Sequence, residues 1–329
     1  MESSSIAPAG ILTKLLAFNP SFKSWKVLVL IASYAFLGYK LLTFHHYEEL
    51  AIQWKLIPLS RVWWLAGVLA LLPLNWLLEA VKWKMLTAGV QKINLITSVK
   101  AVLSGISTGF FTPNRVGELV GRIAFLDPAN RKAGITLSIV NSITQNIVMA
   151  LYGIPACLLF LAGTTGKLHP DIIRFTGLAL TAMLIAGLIF LSLPQWNRRL
   201  AAGKLYNFLK TYTDCLSAYN LPDLVRIVGI SMLRYIVFCL QLYFMLQLFG
   251  IALTPWQALI SIPTSYLLVT FTPSLAFSEA AVRSSYAVLI IGAFSGQVVN
   301  IALAGMCIWA VNFIIPMLVG SVVMIKRSV

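Results

Sequence analysis

One interrupted pattern occurs twice in this chain. Phe111-Thr112-Pro113-Asn114-Arg115-Val116-Gly117-Glu118, followed by Arg122, returns as Phe271-Thr272-Pro273-Ser274-Leu275-Ala276-Phe277-Ser278-Glu279, followed by Arg283. A single inserted residue separates the two copies. Each begins where an apolar stretch stops, and each sets a Glu and an Arg four residues apart, stacked on one helix face. A helix cannot run straight through such a break, because proline lacks the N–H and its ring clashes with the preceding turn. Whatever fold forms must hold two broken helices, each with an acid–base couple just past the break.

The surrounding chain points to lipid as the solvent. It is 59% hydrophobic and 11% charged over 329 residues, whereas soluble domains carry about 25% charged residues. Apolar runs near 20 residues mark full spans, and they fall at about 27–44, 62–81, 134–162, 172–193, 227–249 and 298–325. The third is long enough to tilt, with Gly153 and Pro155 inviting a kink. Val99–Phe111 is different: at 1.5 Å per residue it reaches only about 20 Å, short of a hydrocarbon core of about 30 Å. Glu118 and Arg122 then occupy the stretch up to Leu126, and 257–271 followed by 279–291 repeats the shape. These segments read as re-entrant hairpins, which membranes tolerate only where protein or a wet cavity covers the exposed backbone. The expected fold is an all-α polytopic membrane protein of about six full transmembrane helices plus two re-entrant, broken hairpins. Eight full crossings would keep the same ends on the same side.

Basic residues set the orientation through the positive-inside rule. Lys14, Lys23 and Lys26 put the N-terminal segment 1–26 in the cytoplasm. Lys82, Lys84, Lys92 and Lys100, then Arg131 and Lys132, then Arg198, Arg199, Lys204 and Lys210, and finally Lys326 and Arg327 in the tail 326–329 fall on the same side. The opposite loops hold only Lys55, Arg61 and Lys167. This describes one membrane domain over 27–325 in a cell (inner) membrane, with both termini cytoplasmic. The first hairpin then enters from the inside and the second from the outside, the inverted-repeat arrangement by which many transporters alternate access around a midplane site. The one sizeable polar connection, 194–226, alternates basic residues with Trp196, Leu200, Leu205, Phe208 and Tyr212. It suits an amphipathic helix on the inner membrane surface or one packed beneath the bundle.

The net charge of +15 would suggest nucleic acid in a soluble protein. Here the basic residues cluster at span ends, where they set topology and attract anionic headgroups, and no nucleic-acid motif is present. Cys157, Cys215, Cys239 and Cys307 are far apart, without metal or redox spacing, and suit small apolar packing. His45 and His46 lack the helical spacing of a metal pair. No cofactor is expected: neither a nucleotide loop nor a catalytic triad order is visible.

The candidate substrate-binding residues are Thr112, Arg115, Glu118, Arg122, Thr272, Ser274, Ser278, Glu279 and Arg283. Thr112-Pro113 has the form of a helix start, with Thr as N-cap and Pro at the first position, and free N–H groups there would favour an anion. Arg115 and Arg122 suit phosphate through the planar guanidinium fork, and Glu118 would hold both or meet a headgroup amine. Ser278 is expected to cap the helix that carries Glu279. The plain alternative is that each Glu–Arg couple only locks its hairpin. Glu79, Asn141, Gln145 and Arg234 are candidate cavity-lining residues, although Glu79 near a span end would also snorkel and the amides would also bond between helices.

The stretch Gly105-Ile106-Ser107-Thr108-Gly109-Phe110-Phe111-Thr112-Pro113-Asn114-Arg115-Val116-Gly117-Glu118 with Arg122 resembles the first motif of the lysylphosphatidylglycerol synthase transmembrane-region family. Pro273, Ser274 and Glu279 are similar to its second motif, although Leu275, Ala276 and Phe277 stand where glycines are common. The resemblance covers roughly Val27 to Ile325. It implies movement of a phospholipid or lipid-linked headgroup between leaflets by a flippase-like protein. The chain stops at Val329, just past the last span, so aminoacyl transfer is not carried over. A membrane transferase using Glu118 or Glu279 as general base, or a scaffold for a separate lipid synthase, are the competing expectations. A homo-oligomer is compatible with any of them.

Overall fold

The computed structural model describes residues 57–110, 112, 115–165, 214–274 and 276–326, with isolated positions at 35, 52, 54, 55 and within 170–192. The expected first span, the histidine pair, most of the expected fourth span and 194–213 lie outside the described residues.

An internal duplication organises the described residues, all of whose elements are helical. The first unit is α1 (Val62–Thr87), α2 (Leu95–Gly109), α3 (Glu118–Ile123) and α4 (Arg131–Thr165). The second is α5 (Leu221–Leu248), α6 (Pro255–Phe271), α7 (Ala276–Ile291) and a long helix in two parts, α8 (Val298–Trp309) and α9 (Ile315–Lys326), joined by a π turn over Ala310–Ile314. Positions 160 or 161 apart correspond. Gly89 and Gly250 end the first helix of each unit, Asn94 and Thr254 cap the second, Glu118–Arg122 and Glu279–Arg283 open the third, and Pro155 and Pro316 sit in the fourth. Both caps follow from side-chain chemistry: Asn94 Oδ1 accepts from the Thr97 amide at 2.7 Å, and Thr254 and Gln257 form a reciprocal capping box. Gly250 has φ +80°, a left-handed conformation open to glycine, and a Cβ there would strike the Arg61 guanidinium.

The two units run antiparallel. Tyr219 at the head of α5 donates its hydroxyl to the Leu86 carbonyl near the end of α1. Gln241 reaches the Val68 carbonyl at 3.2 Å, and Arg234 reaches Asn75 at 2.8 Å. The first two pairs join one end of a helix to the opposite end of the other, and Arg234–Asn75 joins their middles. The remaining contacts obey the same pseudo-twofold relation: α6 packs on α4, and α2 packs on α9, its counterpart. Ser107 of α2 donates to the Met317 carbonyl at 2.7 Å, and Gly320 lies flat against α2 at Leu103.

Lipid tails are as apolar as leucine, so helix association here depends on close packing and internal hydrogen bonds rather than on escape from water. The first hairpin uses small residues for this. Gly105 and Gly109 on α2 face Gly117 and Gly121 at the start of α3. A Cβ on Gly117 would strike the Thr108 carbonyl, and one on Gly121 the Ser104 carbonyl. Thr108 also donates its hydroxyl to the Gly117 carbonyl at 2.7 Å. Two apolar clusters complete the packing, one around Val68, Leu246, Ile262 and Ile301, the other around Trp83, Leu86, Ala101 and Leu137.

Among the described residues, four helices are long and apolar enough to cross a membrane: Leu59–Thr87, Pro128–Thr164, Leu221–Leu248 and Val298–Met324. They match four of the six runs expected from the sequence. The fifth run begins earlier than its hydropathy suggests, because Asn220 and Asp223 form a capping box that starts α5 at Leu221. The polar connection therefore stops short of Arg226, and Asp214–Ala218 within it is a short 3-10 turn. The last run contains the unexpected π turn directly before Pro316, whose ring crowds the Asn312 carbonyl and which has no N–H to offer it.

Candidate functional site

Each broken helix ends in a turn stabilised by its threonine, and neither threonine starts a helix as the sequence suggested. Thr112 Oγ1 accepts from the Gly117 amide at 2.7 Å and donates to the Gly109 carbonyl at 3.0 Å. It thereby ties the two arms together, and α3 begins only at Glu118 with six residues. Thr272 closes α6, donating to the Leu268 carbonyl at 2.7 Å, and lies 2.8 Å from the Tyr286 hydroxyl of the returning arm. Ser278 falls inside α7, which starts at Ala276, so it does not cap that helix. No long helix N-terminus faces an anion at Thr112, and electrostatics at the break come from side chains instead.

A cavity of about 420 Å³ opens between the two breaks. Thr112, Arg115, Glu118, Arg122, Thr272, Ser274, Glu279 and Arg283 line it, as do Glu79, Asn141, Gln145 and Arg234. Ser278 is absent from this lining. The wall is made by α1, the two hairpins, α4 and α5, with Phe313 from the π turn.

The charges form two connected clusters. Glu79 on α1 is 1% exposed and meets three cations: Lys82 at 3.2 Å, Arg122 at 2.7 Å and Arg234 at 2.9 Å. Asn141 donates to the same carboxylate at 2.7 Å. Lys82 is itself fully buried and also donates to Ser231 Oγ at 3.2 Å. Arg234 is held further by Asn75 at 2.8 Å and Gln145 at 3.4 Å. The second cluster joins the two hairpins. Arg115 reaches across to both oxygens of Glu279 at 2.8 Å, while Arg283 approaches the same carboxylate at 2.9 Å. Glu118 bridges the clusters, 3.0 Å from Arg122 and 3.8 Å from Arg115. Arg115 also stacks over Phe313, 3.7 Å from the ring centre. Its φ of +59° is, among the described residues, the one positive value outside glycine. Such a backbone costs about 1–3 kcal/mol and persists where the surroundings over-determine it, and the two-toothed bond to Glu279 with the stack on Phe313 is such a surrounding.

The sequence located the couples but not their partners. Glu79, expected to line the cavity or to snorkel, lines it and is the hub of three cations. Arg234, a candidate cavity-lining residue, faces the cavity. The glycines of the first hairpin and Phe313 were missed. The former are visible as two G-x-x-x-G spacings; the latter becomes readable only once the π turn turns it inward.

The architecture defines a polytopic helical membrane protein with an ionic cavity between two broken helices. The chain belongs to the lysylphosphatidylglycerol synthase TM region family, whose model matches residues 24–320. No curated protein and no solved structure matches it. Membership associates the chain with lipid handling in a membrane.

Proposed function

We propose that this protein is a flippase or translocase that moves a phospholipid or lipid-linked headgroup between leaflets through the central cavity. In this reading six helices span the membrane fully, and α2–α3 and α6–α7 are re-entrant hairpins inserted from opposite faces. The termini lie in the cytoplasm of a cell inner membrane. The antiparallel course of the two units supports opposite insertion, since the faces at which α1 and α5 end, and the hairpins begin, are then opposite. The observation that carries the proposal is the Arg115–Glu279 bond at 2.8 Å, which joins the two breaks across a polar cavity. Arginines Arg115, Arg122 and Arg283 hold the headgroup phosphate, Glu118 and Glu279 orient them, and acyl chains stay in lipid. Transport is passive or ion-coupled, and the chain performs no aminoacyl transfer. Engagement of all three carboxylates in ion pairs speaks for an orienting role rather than that of a general base.

The test is translocation of labelled phospholipid in proteoliposomes. The purified protein should accelerate crossing, and Glu118→Ala should slow it by at least about tenfold, equivalent to 1.4 kcal/mol. If protein and variant leave the spontaneous rate equally unchanged, the proposal fails.

A further inference from the structure

The cavity contains more positive charge than it can neutralise, and its acids are all engaged. Arg115, Arg122, Arg234 and Arg283 face it, with Lys82 bonded behind Glu79, against three carboxylates. Glu79 serves three cations, Glu118 two and Glu279 two. Three of the four lining rings that could attract an organic cation are also taken: Phe313 by Arg115 and Arg283, Phe238 by Arg234, Tyr266 by Arg283. An ammonium group entering here finds no free carboxylate, and of the lining rings only Phe271 is untaken. An anion finds surplus guanidinium charge, and Arg122, 4% exposed, keeps Nε and Nη1 without a hydrogen-bond partner.

A side groove shows how such a group would arrive. A second cavity of about 220 Å³ lies between α3 and α4 and shares Arg115, Glu118 and Arg122 with the first. Its outer lips are apolar and exposed: Val116 at 60%, Ile139 at 45% and Ile143 at 42%. A charged inner end with greasy lips fits an amphiphile entering sideways, its headgroup in the cavity and its chains outside.

We propose that the site selects a lipid whose headgroup bears a phosphate and no cationic group, admitted between α3 and α4, and rejects aminoacylated or amine-bearing lipids. This rests on the reading that the cavity holds a lipid headgroup. The experiment is competition binding to the full chain in detergent, with fluorescent phosphatidylglycerol as probe. Unlabelled phosphatidylglycerol should displace it at least about tenfold more effectively than phosphatidylethanolamine, a difference of 1.4 kcal/mol, with lysylphosphatidylglycerol weakest. Glycerophosphoglycerol, which has the headgroup but no chains, should not displace it. Ile139→Trp on the exposed lip should weaken binding at least about fivefold while thermal unfolding stays unchanged, and Leu233→Trp, 54% exposed on α5, should leave binding intact. Equal displacement by lysylphosphatidylglycerol or phosphatidylethanolamine would overturn the charge selectivity. Displacement by glycerophosphoglycerol would make the ligand a soluble phosphate and overturn the lipid assignment, and undiminished binding in a folded Ile139→Trp would overturn the route. Binding is read without transport: the order above in a protein that moves no lipid would refute translocation and leave this inference standing.

Discussion

The two units share a plan and differ in what they do with it. In the first, α2 and the short α3 meet backbone to backbone through Gly105, Gly109, Gly117 and Gly121. In the second, the matching positions are Ser265, Val269, Ser278 and Val282, and the returning arm α7 runs for 16 residues. The first unit also has an acid on its opening helix, Glu79, where the second has the uncharged Cys239. As a result Arg122 is pinned to α1 as well as to Glu118, whereas the carboxylate partner of Arg283 is Glu279, which it shares with Arg115. A repeated scaffold thus yields one rigid, charge-dense half and one looser half whose acid is available to the other unit. The crossing bond depends on this asymmetry, since the second half has Leu275 and Ala276 where the first has Arg115, and two copies of it would lack the bond.

The largest test of that contrast is removal of the hub. Glu79→Leu leaves Lys82, Arg122 and Arg234 buried without their carboxylate and should cost about 3–5 kcal/mol, seen as a large fall in thermal unfolding temperature in detergent. Cys239→Leu at the matching place should be nearly silent. If the two shift unfolding equally, the first unit is not the charge-organised one.

A smaller effect is expected from the glycines. Gly117→Ala pushes a Cβ against the Thr108 carbonyl, and overpacking of this kind costs about 1–3 kcal/mol. Val282→Ala in the second hairpin should stay below about 1 kcal/mol. Comparable losses would mean that both hairpins are equally tight. Smaller still is Phe313→Leu, which removes the stack beneath Arg115 and should cost about 0.5–2 kcal/mol. Its sharper signature is weaker phosphatidylglycerol binding with little change in unfolding.

Much of this was legible in the chain because it concerns local chemistry. Proline after threonine marked both breaks, the i,i+4 couples marked the charged arms, and run length separated the long apolar helices from the shorter ones. The sequence also placed Glu118, Arg122, Glu279 and Arg283 at one centre through repetition alone. What escaped depends on which helix faces which. Glu79 and Arg234 are 155 positions apart, and only the antiparallel docking of α1 on α5 brings them to 2.9 Å. Likewise the start of α5 at Leu221 was set by the Asn220–Asp223 capping box, a polar signal that hydropathy ignores. The full extent of the duplication was written in paired Gly, cap and Pro positions but obscured by side chains that differ almost everywhere else.

The Ser107–Met317 bond has an implication for biogenesis. The first hairpin leaves the ribosome some two hundred residues before its packing partner α9 exists, so it must be inserted, or sheltered by the translocon or a chaperone, with an unmatched flank. Ribosome-arrested chains ending before α9 should therefore leave Gly105–Gly121 open to protease, or to thiol labelling at a cysteine introduced there, and release of the finished polypeptide should close it.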